Sequence, residues 1–172
     1  MPQAFLARVA GRTRQIFAIV ASAGVADAGK IPALGLDGRL DDSVLPVGIG
    51  ADTTQAVASE TVGAGKFVQY HDNGGVFSVR LADNGNGRHA DGFVLEQFTA
   101  GTTATVYPLD GVNAELSGLT VSARYWLGTA GGVTATPLDE TASANANKIS
   151  QYLGVAKSAT ELVTDDDGYV VL

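Results

Sequence analysis

The chain contains no cysteine. Disulfides and thiolate metal sites are therefore excluded, and stability must come from a packed core, to which oligomerisation can add. Only two histidines are present, His71 and His89. Positive charge is scarce: 11 Lys and Arg stand against 18 Asp and Glu, a net −7 that argues against general nucleic-acid binding. Long apolar runs are missing too. Residues 16–21 (IFAIVA) fall far short of the ~18–20 apolar residues that a membrane span requires. The same run is at the bottom of the range for a signal-peptide core. Arg12 and Arg14 crowd it, so residues 1–24 are read as part of the protein even though Ala21-Ser22-Ala23 mimics a cleavage site.

What is abundant is small. Among 172 residues there are 22 glycines but only 5 prolines, and Ala, Thr and Val are frequent. This mixture favours short strands joined by tight turns over long helices. The charge is unevenly placed. Residues 1–50 carry five Lys/Arg against four Asp/Glu, a balance of +1, which leaves −8 on the remainder. The first fourteen residues hold Arg8, Arg12 and Arg14 and no acid.

The chain changes character near residue 50. Residues 15–20 fit either a strand or a short helix, since periodicity does not decide so short a run. After them come Gly24, Gly29, Pro32, Gly35, Asp37-Gly38, Pro46, Gly48 and Gly50, breakers too closely spaced for a regular element. Ile31, Leu34, Leu36, Leu40, Val44, Leu45, Val47 and Ile49 sit singly between them. Apolar residues on an irregular string cannot bury one another, so this segment predicts an extended arm that docks on a partner; the alternative is an arm wrapped on its own barrel. From residue 51 on, candidate strands recur at 54–59, 66–71, 76–82, 92–97, 103–108, 124–128, 132–136, 150–156 and 169–172. Turns such as Asp72-Asn73-Gly74-Gly75 and Gly131-Gly132 separate them. Phe77, Val79 and Leu81 alternate with Ser78 and Arg80, the period of a half-buried strand. Such spacing predicts an antiparallel sandwich or a small barrel.

Chemistry is sparse. His71-Asp72 and His89-Ala90-Asp91 place imidazoles beside acids, but no serine occupies a Gly-x-Ser-x-Gly elbow, and the histidines are read as satisfied surface residues. Residues 161–167 are acidic. At their end Asp165-Asp166-Asp167-Gly168 lacks the alternating acids of a calcium loop and is read as a solvated turn. Asn84-Gly85-Asn86-Gly87 lacks the helix and lysine of a phosphate cradle and is read as a mobile hairpin tip. Residues 139–148 are read as a surface loop with at most one helical turn. Trp126, Tyr125, Tyr70, Tyr107, Tyr152 and Tyr169 are of the kind a sugar-binding face uses, but at 7% aromatic content, spread along the chain, core packing is the expectation for each.

Residues 28–46 read AGKIPALGLDGRLDDSVLP and residues 48–53 read GIGADT. This stretch resembles the arm of a family of tailed-bacteriophage virion proteins. Residues 58–60 (ASE) with 63–68 (GAGKFV), and 90–95 (ADGFVL), 104–107 (ATVY), 116–120 (LSGLT), 125–127 (YWL) and 154–162 (GVAKSATEL), are similar to that family's barrel strands. The resemblance covers most of the chain from about Ser22. It implies a head decoration, or capsid cement, protein on the outside of the mature shell, commonly trimeric, with an arm over the capsid subunits and a β-barrel facing out. A related segment occurs in trimeric tail fibres, and the arm alone does not separate the two roles.

The expectation is thus an all-β protein, with an extended N-terminal arm (1–50) followed by an antiparallel β-barrel or β-sandwich (51–172). No catalytic, cofactor or metal residues are expected. The expected partners are the major capsid protein and further copies of the chain as a homotrimer, with no nucleic acid and no membrane. Arg8, Arg12, Arg14, Ile31, Leu34, Leu36, Leu40, Leu45 and Ile49 are the candidate partner-binding residues, on a protein made in the host cytoplasm and carried on the virion.

Overall fold

The structure, a computed structural model, describes residues 4–36, 38–45 and 52–172. The chain is all-β, and no helix of seven or more residues occurs among the described residues. It divides into two compact units, Met1–Ala51 and Asp52–Leu172.

In the first unit, β1 (Ala4–Val9) and β2 (Arg12–Phe17) form a hairpin in the register Val9↔Arg12, Ala7↔Arg14, Phe5↔Ile16. Its two-residue turn, Ala10-Gly11, has φ of 51° and 74°. Positive φ at both positions is what the type I′ hairpin turn demands. The usual cue for such a turn is Asn-Gly or Asp-Gly; alanine rarely adopts this conformation, which is why the sequence gives no sign of the hairpin. Residues 15–20, open between strand and helix, therefore begin as strand through Phe17, and the segment expected to be extended is folded back on itself over 4–17. Beyond β2, Ile19 bridges Pro32 in parallel, with Ile19 N–H donating to Ile31 O (3.0 Å) and Ala33 N–H to Ile19 O (2.7 Å). Short 3-10 turns at Gly24–Asp27 and Asp42–Val44 are the only other regular elements described there.

The second unit contains β3 (Thr54–Ala58), β4 (Phe67–Asp72), β5 (Phe77–Leu81), β6 (Gly92–Phe93), β7 (Thr103–Val106), β8 (Val112–Asn113), β9 (Arg124–Leu127), β10 (Val133–Thr134), β11 (Ile149–Ala156), β12 (Leu162–Thr164) and β13 (Tyr169–Val171). One sheet has the order β6-β4-β5-β3-β7. Its edges meet where Phe93 and Tyr107 exchange N–H···O bonds of 2.9 and 2.8 Å, so the sheet curls into a near-barrel. Closure leaves no free edge at that point to template aggregation. The other sheet has the order β10-β9-β11-β12-β8, with β13 also paired to β11. Pairing is antiparallel except between β3 and β5, where Val57↔Ser78 and Ala58↔Val79 run parallel. A parallel pair needs a crossover rather than a hairpin, and here β4 lies between the two in sequence.

Two cores follow from this layout. Inside the small barrel the fully packed residues are all alanine or valine, among them Ala56, Ala58, Val68, Val79, Ala104 and Val106. Five strands enclose a bore too narrow for larger side chains. The second core takes the large residues Phe67, Phe93, Leu127, Leu153 and Leu162. Strand β4 serves both, sending Phe67 to one and Val68 to the other with the period of two that a strand imposes. β5 is likewise covered on both sides: Ser78, expected to face water, is fully buried, while Phe77 is exposed and stacks on Tyr70 at 4.9 Å.

Two further expectations are corrected. Strands β8 and β12 lie in segments without strand periodicity, and two or three residues are too few to show one. Leu162 and Thr164, just before the acidic turn, are buried, while Asp165, Asp166, Asp167 and Gly168 are exposed. The segment at 84–87 is a pinned turn rather than a mobile tip. Asn84 is buried and its Nδ2 donates to Leu127 O (2.8 Å), while Asp83 caps Gly85 N–H.

Candidate docking surface and outer groove

Both histidines are half-buried and engaged. The Ser59 hydroxyl lies 2.8 Å from His71 Nε2, the spacing of a nucleophile and its base. Yet the ring's Nδ1 faces the backbone O of Asp72 (3.1 Å), and the Asp72 carboxylate instead accepts from Gly75 N–H. The adjacency His71-Asp72 therefore does not create a carboxylate–imidazole pair. His89 does meet its acid: Nε2 donates to Asp91 Oδ1 (3.0 Å). Arg80 donates twice to Gln69 Oε1, which turns the Gln69 amide nitrogen toward His89 Nδ1 (3.2 Å). Both ring nitrogens are thus committed to a structural chain, and the ring stacks on Tyr169 at 4.4 Å. Burial raises the Tyr70 phenol above its ordinary value. Among the described residues no group of three His, Asp or Glu is placed to hold a metal ion.

The candidate partner-binding residues fall as follows. Alternation along the hairpin puts Arg12 and Arg14 on one face and Arg8 on the other, beside the exposed Leu6 and Phe17. None of the three arginines makes an ion pair or side-chain hydrogen bond among the described residues. Arg14 and Lys30 line a groove of about 490 Å³ together with Val9, Ile16, Phe17 and Ile19. Ile31, Leu34, Leu36 and Leu40 are all exposed, and Leu45 is half-buried. Ile49 lies outside the described residues, as do Asp37 and the rest of 46–51. Of the unit's described residues only Ala33 is buried. The segment after β2 is held by local hydrogen bonds: Asp27 accepts from Ala23 N–H (2.6 Å) and pairs with Lys30, and Ser43 Oγ accepts from Ser22 N–H (2.8 Å). The Ala23 amide and then Lys30 hold the Asp27 carboxyl below its ordinary value.

A feature missed in the sequence lies on the outer face of the six-stranded sheet. Tyr125 and Leu127 point into the core, so their neighbour Trp126 points out, cross-strand from Tyr152. The two rings meet edge to face at 5.8 Å and 65°. They are half-buried and outside both cores, against the expectation of core packing. Two concavities of about 410 and 220 Å³ share Trp126, Tyr152 and Asp167; the first adds Arg124 and Asp165, the second Ser150, Tyr169 and Val170. The signal available in the sequence was the parity of β9, where Tyr-Trp in succession forces one ring out.

No family model matches the chain. No curated protein matches it. Among solved structures it is similar to the head fiber gp8.5 N base of bacteriophage phi29, with a TM-score of 0.48 and 17% identity over 67% of this chain and 95% of that one. A likeness of that size carries no argument about function.

Proposed function

We propose that this chain is a structural protein of a tailed-phage virion, a head decoration or cement protein that docks on the outside of the assembled capsid through residues 1–50. The observation that carries docking is the state of the first unit. It presents Leu6, Phe17, Ile31, Leu34, Leu36 and Leu40 to solvent, carries three unpaired arginines on its hairpin, and among its described residues buries Ala33 alone. Free-standing units do not leave so many large apolar side chains uncovered, and such patches mark interaction sites. The capsid as partner is supported by the resemblance of residues 28–53 to the phage arm. Self-association as a trimer belongs to the same proposal.

The mechanism is mass action. A protein that binds the assembled shell and not its dissociated subunits stabilises the shell by about 2.7 kcal/mol per site when free protein is at 100 times its dissociation constant. Apolar anchors supply affinity, and the arginines, set against an acidic capsid surface, supply orientation and on-rate. The second unit has its own two cores and remains as the acidic body.

The test is occupancy on purified mature heads by co-sedimentation. The intact chain binds. A chain lacking residues 1–46 stays folded and does not bind, and Arg8→Glu/Arg12→Glu/Arg14→Glu in the full chain weakens binding. Undiminished occupancy by both altered proteins would overturn the proposal. The second reading, a fibre or receptor-binding protein, draws on the exposed aromatic groove; electron microscopy of labelled virions separates the two by position on the particle.

A further inference from the structure

We propose that the groove on the outer face of β9, β11 and β13 is a binding site for a neutral oligosaccharide. Three observations converge on it. First, Trp126 and Tyr152 stand on the solvent side of the sheet, meet at 5.8 Å and 65°, and form a corner rather than a flat core contact. An aromatic face at a wet surface matches the C–H face of a pyranose, an apolar body with polar edges. Second, the polar side chains of the groove have free capacity. Arg124, Asp165 and Asp167 make no ion pair or side-chain hydrogen bond among the described residues, though all line one concavity. This contrasts with the interior, where among the described residues no buried side-chain nitrogen or oxygen lacks a partner. Third, the two concavities share Trp126, Tyr152 and Asp167, and at about 410 and 220 Å³ they together reach the ~300–1,000 Å³ scale of ligand sites.

Charge selects the class of sugar. Two carboxylates and one guanidinium give the groove a net negative balance, on a unit that carries −8. Anionic sugars are repelled, while neutral hydroxyls can donate to Asp165 and Asp167 and accept from Arg124, which are the stronger, charge-assisted bonds. The site is independent of the docking proposal: it would bind sugar whether or not the chain decorates a capsid.

Trp126 is the only tryptophan of the chain, so its fluorescence reports this groove alone. The full chain is titrated with maltotriose, cellotriose, mannotriose and tri-N-acetylchitotriose, each to about 10 mM, a range that captures millimolar dissociation constants. The expected result is a saturable fluorescence change with at least one neutral trisaccharide and none with a hyaluronan tetrasaccharide. Asp167→Asn, on an exposed segment where folding is not at stake, weakens that affinity by about tenfold, as loss of one charged hydrogen-bond acceptor predicts. Tyr152→Ala does the same, with circular dichroism confirming its fold. No response to any neutral probe, or equal binding by Asp167→Asn and Tyr152→Ala, overturns the proposal, as does tighter binding of the anionic sugar.

Discussion

Gln151 replaces a missing piece of backbone pairing. It lies on β11, is 2% exposed and points inward. Its Nε2 donates to Ala90 O (2.8 Å), and its Oε1 accepts from Ala90 N–H (2.7 Å). Ala90 is itself buried, and these are the partners of its two main-chain groups, so one side chain performs the work of a neighbouring strand. Gln151→Met keeps the length of the side chain and removes both bonds, which holds any cavity contribution small. Each orphaned buried group costs about 1–3 kcal/mol, so the pair costs about 2–6 kcal/mol before the easier burial of methionine gives part of it back. A net loss of about 2–4 kcal/mol follows. At about 2–4 °C per kcal/mol for a chain of this size, Tm falls by about 4–16 °C. Urea unfolding of the full chain, followed by Trp126 fluorescence and by far-ultraviolet circular dichroism, measures the change, with Ser150→Ala on the outer face as a control within ~0.5 kcal/mol. Gln151→Glu sharpens the test. At neutral pH its carboxylate faces the Ala90 carbonyl without a proton to donate; protonated, it regains that donor, so its deficit relative to wild type narrows on acidification. A methionine variant within about 0.5 kcal/mol of wild type would refute the assignment, because it would mean that Ala90 finds other partners.

Two further outcomes follow from local geometry. A Cβ on Gly92 would sit 2.5 Å from Tyr107 O and 2.6 Å from Val106 Cγ1, at the point where the small barrel closes. Gly92→Ala should therefore cost about 1–3 kcal/mol and raise hydrogen exchange at the Phe93 and Tyr107 amides ahead of the rest of the unit; unchanged protection there would defeat the argument. In the first unit the Asp27 carboxyl is held below its ordinary 3.8 by the Ala23 amide and by Lys30. A carboxyl whose folded pKa is depressed contributes while ionised, so its support for the 23–30 turn is fully present above pH 3.8 and is lost as pH falls through the depressed value. The Ala23 amide resonance should move with Asp27 over that acid range and stay still in Asp27→Asn, and a midpoint at or above 3.8 would contradict the geometry.

What could be read from the sequence was what repeats. The alternation of 76–82, the Gly-rich turns and the shift in character near residue 50 are all local; β3, β5, β6, β7, β9, β10 and β13 fall within the candidate strands, and β4 and β11 overrun theirs by one residue. What could not be read depends on partners distant in sequence. Ser78 is buried because β5 runs beside β3 as well as β4, a pairing no local pattern encodes. Strands β8 and β12 are extended because they face one another, Leu162↔Asn113, across some fifty residues. Trp126 is the instructive miss. Aromatic residues default to the core on average, but next to Tyr125 in a strand only one of the two can point inward.

The two units meet the cost of order differently. The second buries its own large side chains and closes its own sheet, so its fold does not wait on a partner. The first gains little from itself: a two-stranded hairpin is marginal in water, and its leucines remain wet. Each exposed Leu or Phe that becomes covered contributes about 1.5–3 kcal/mol. Covering Leu6, Phe17, Leu34 and Leu36, of which Phe17 and Leu34 are already half covered, would then supply at most about 6–12 kcal/mol, against an association cost estimated at about 4–15 kcal/mol. The margin is thin at one site and grows when copies bind as a linked set, since a second contact made by an already tethered partner does not bear the full translational cost again. On the docking proposal this makes self-association functional. A monomer should exchange on and off heads readily, and a trimer should stay.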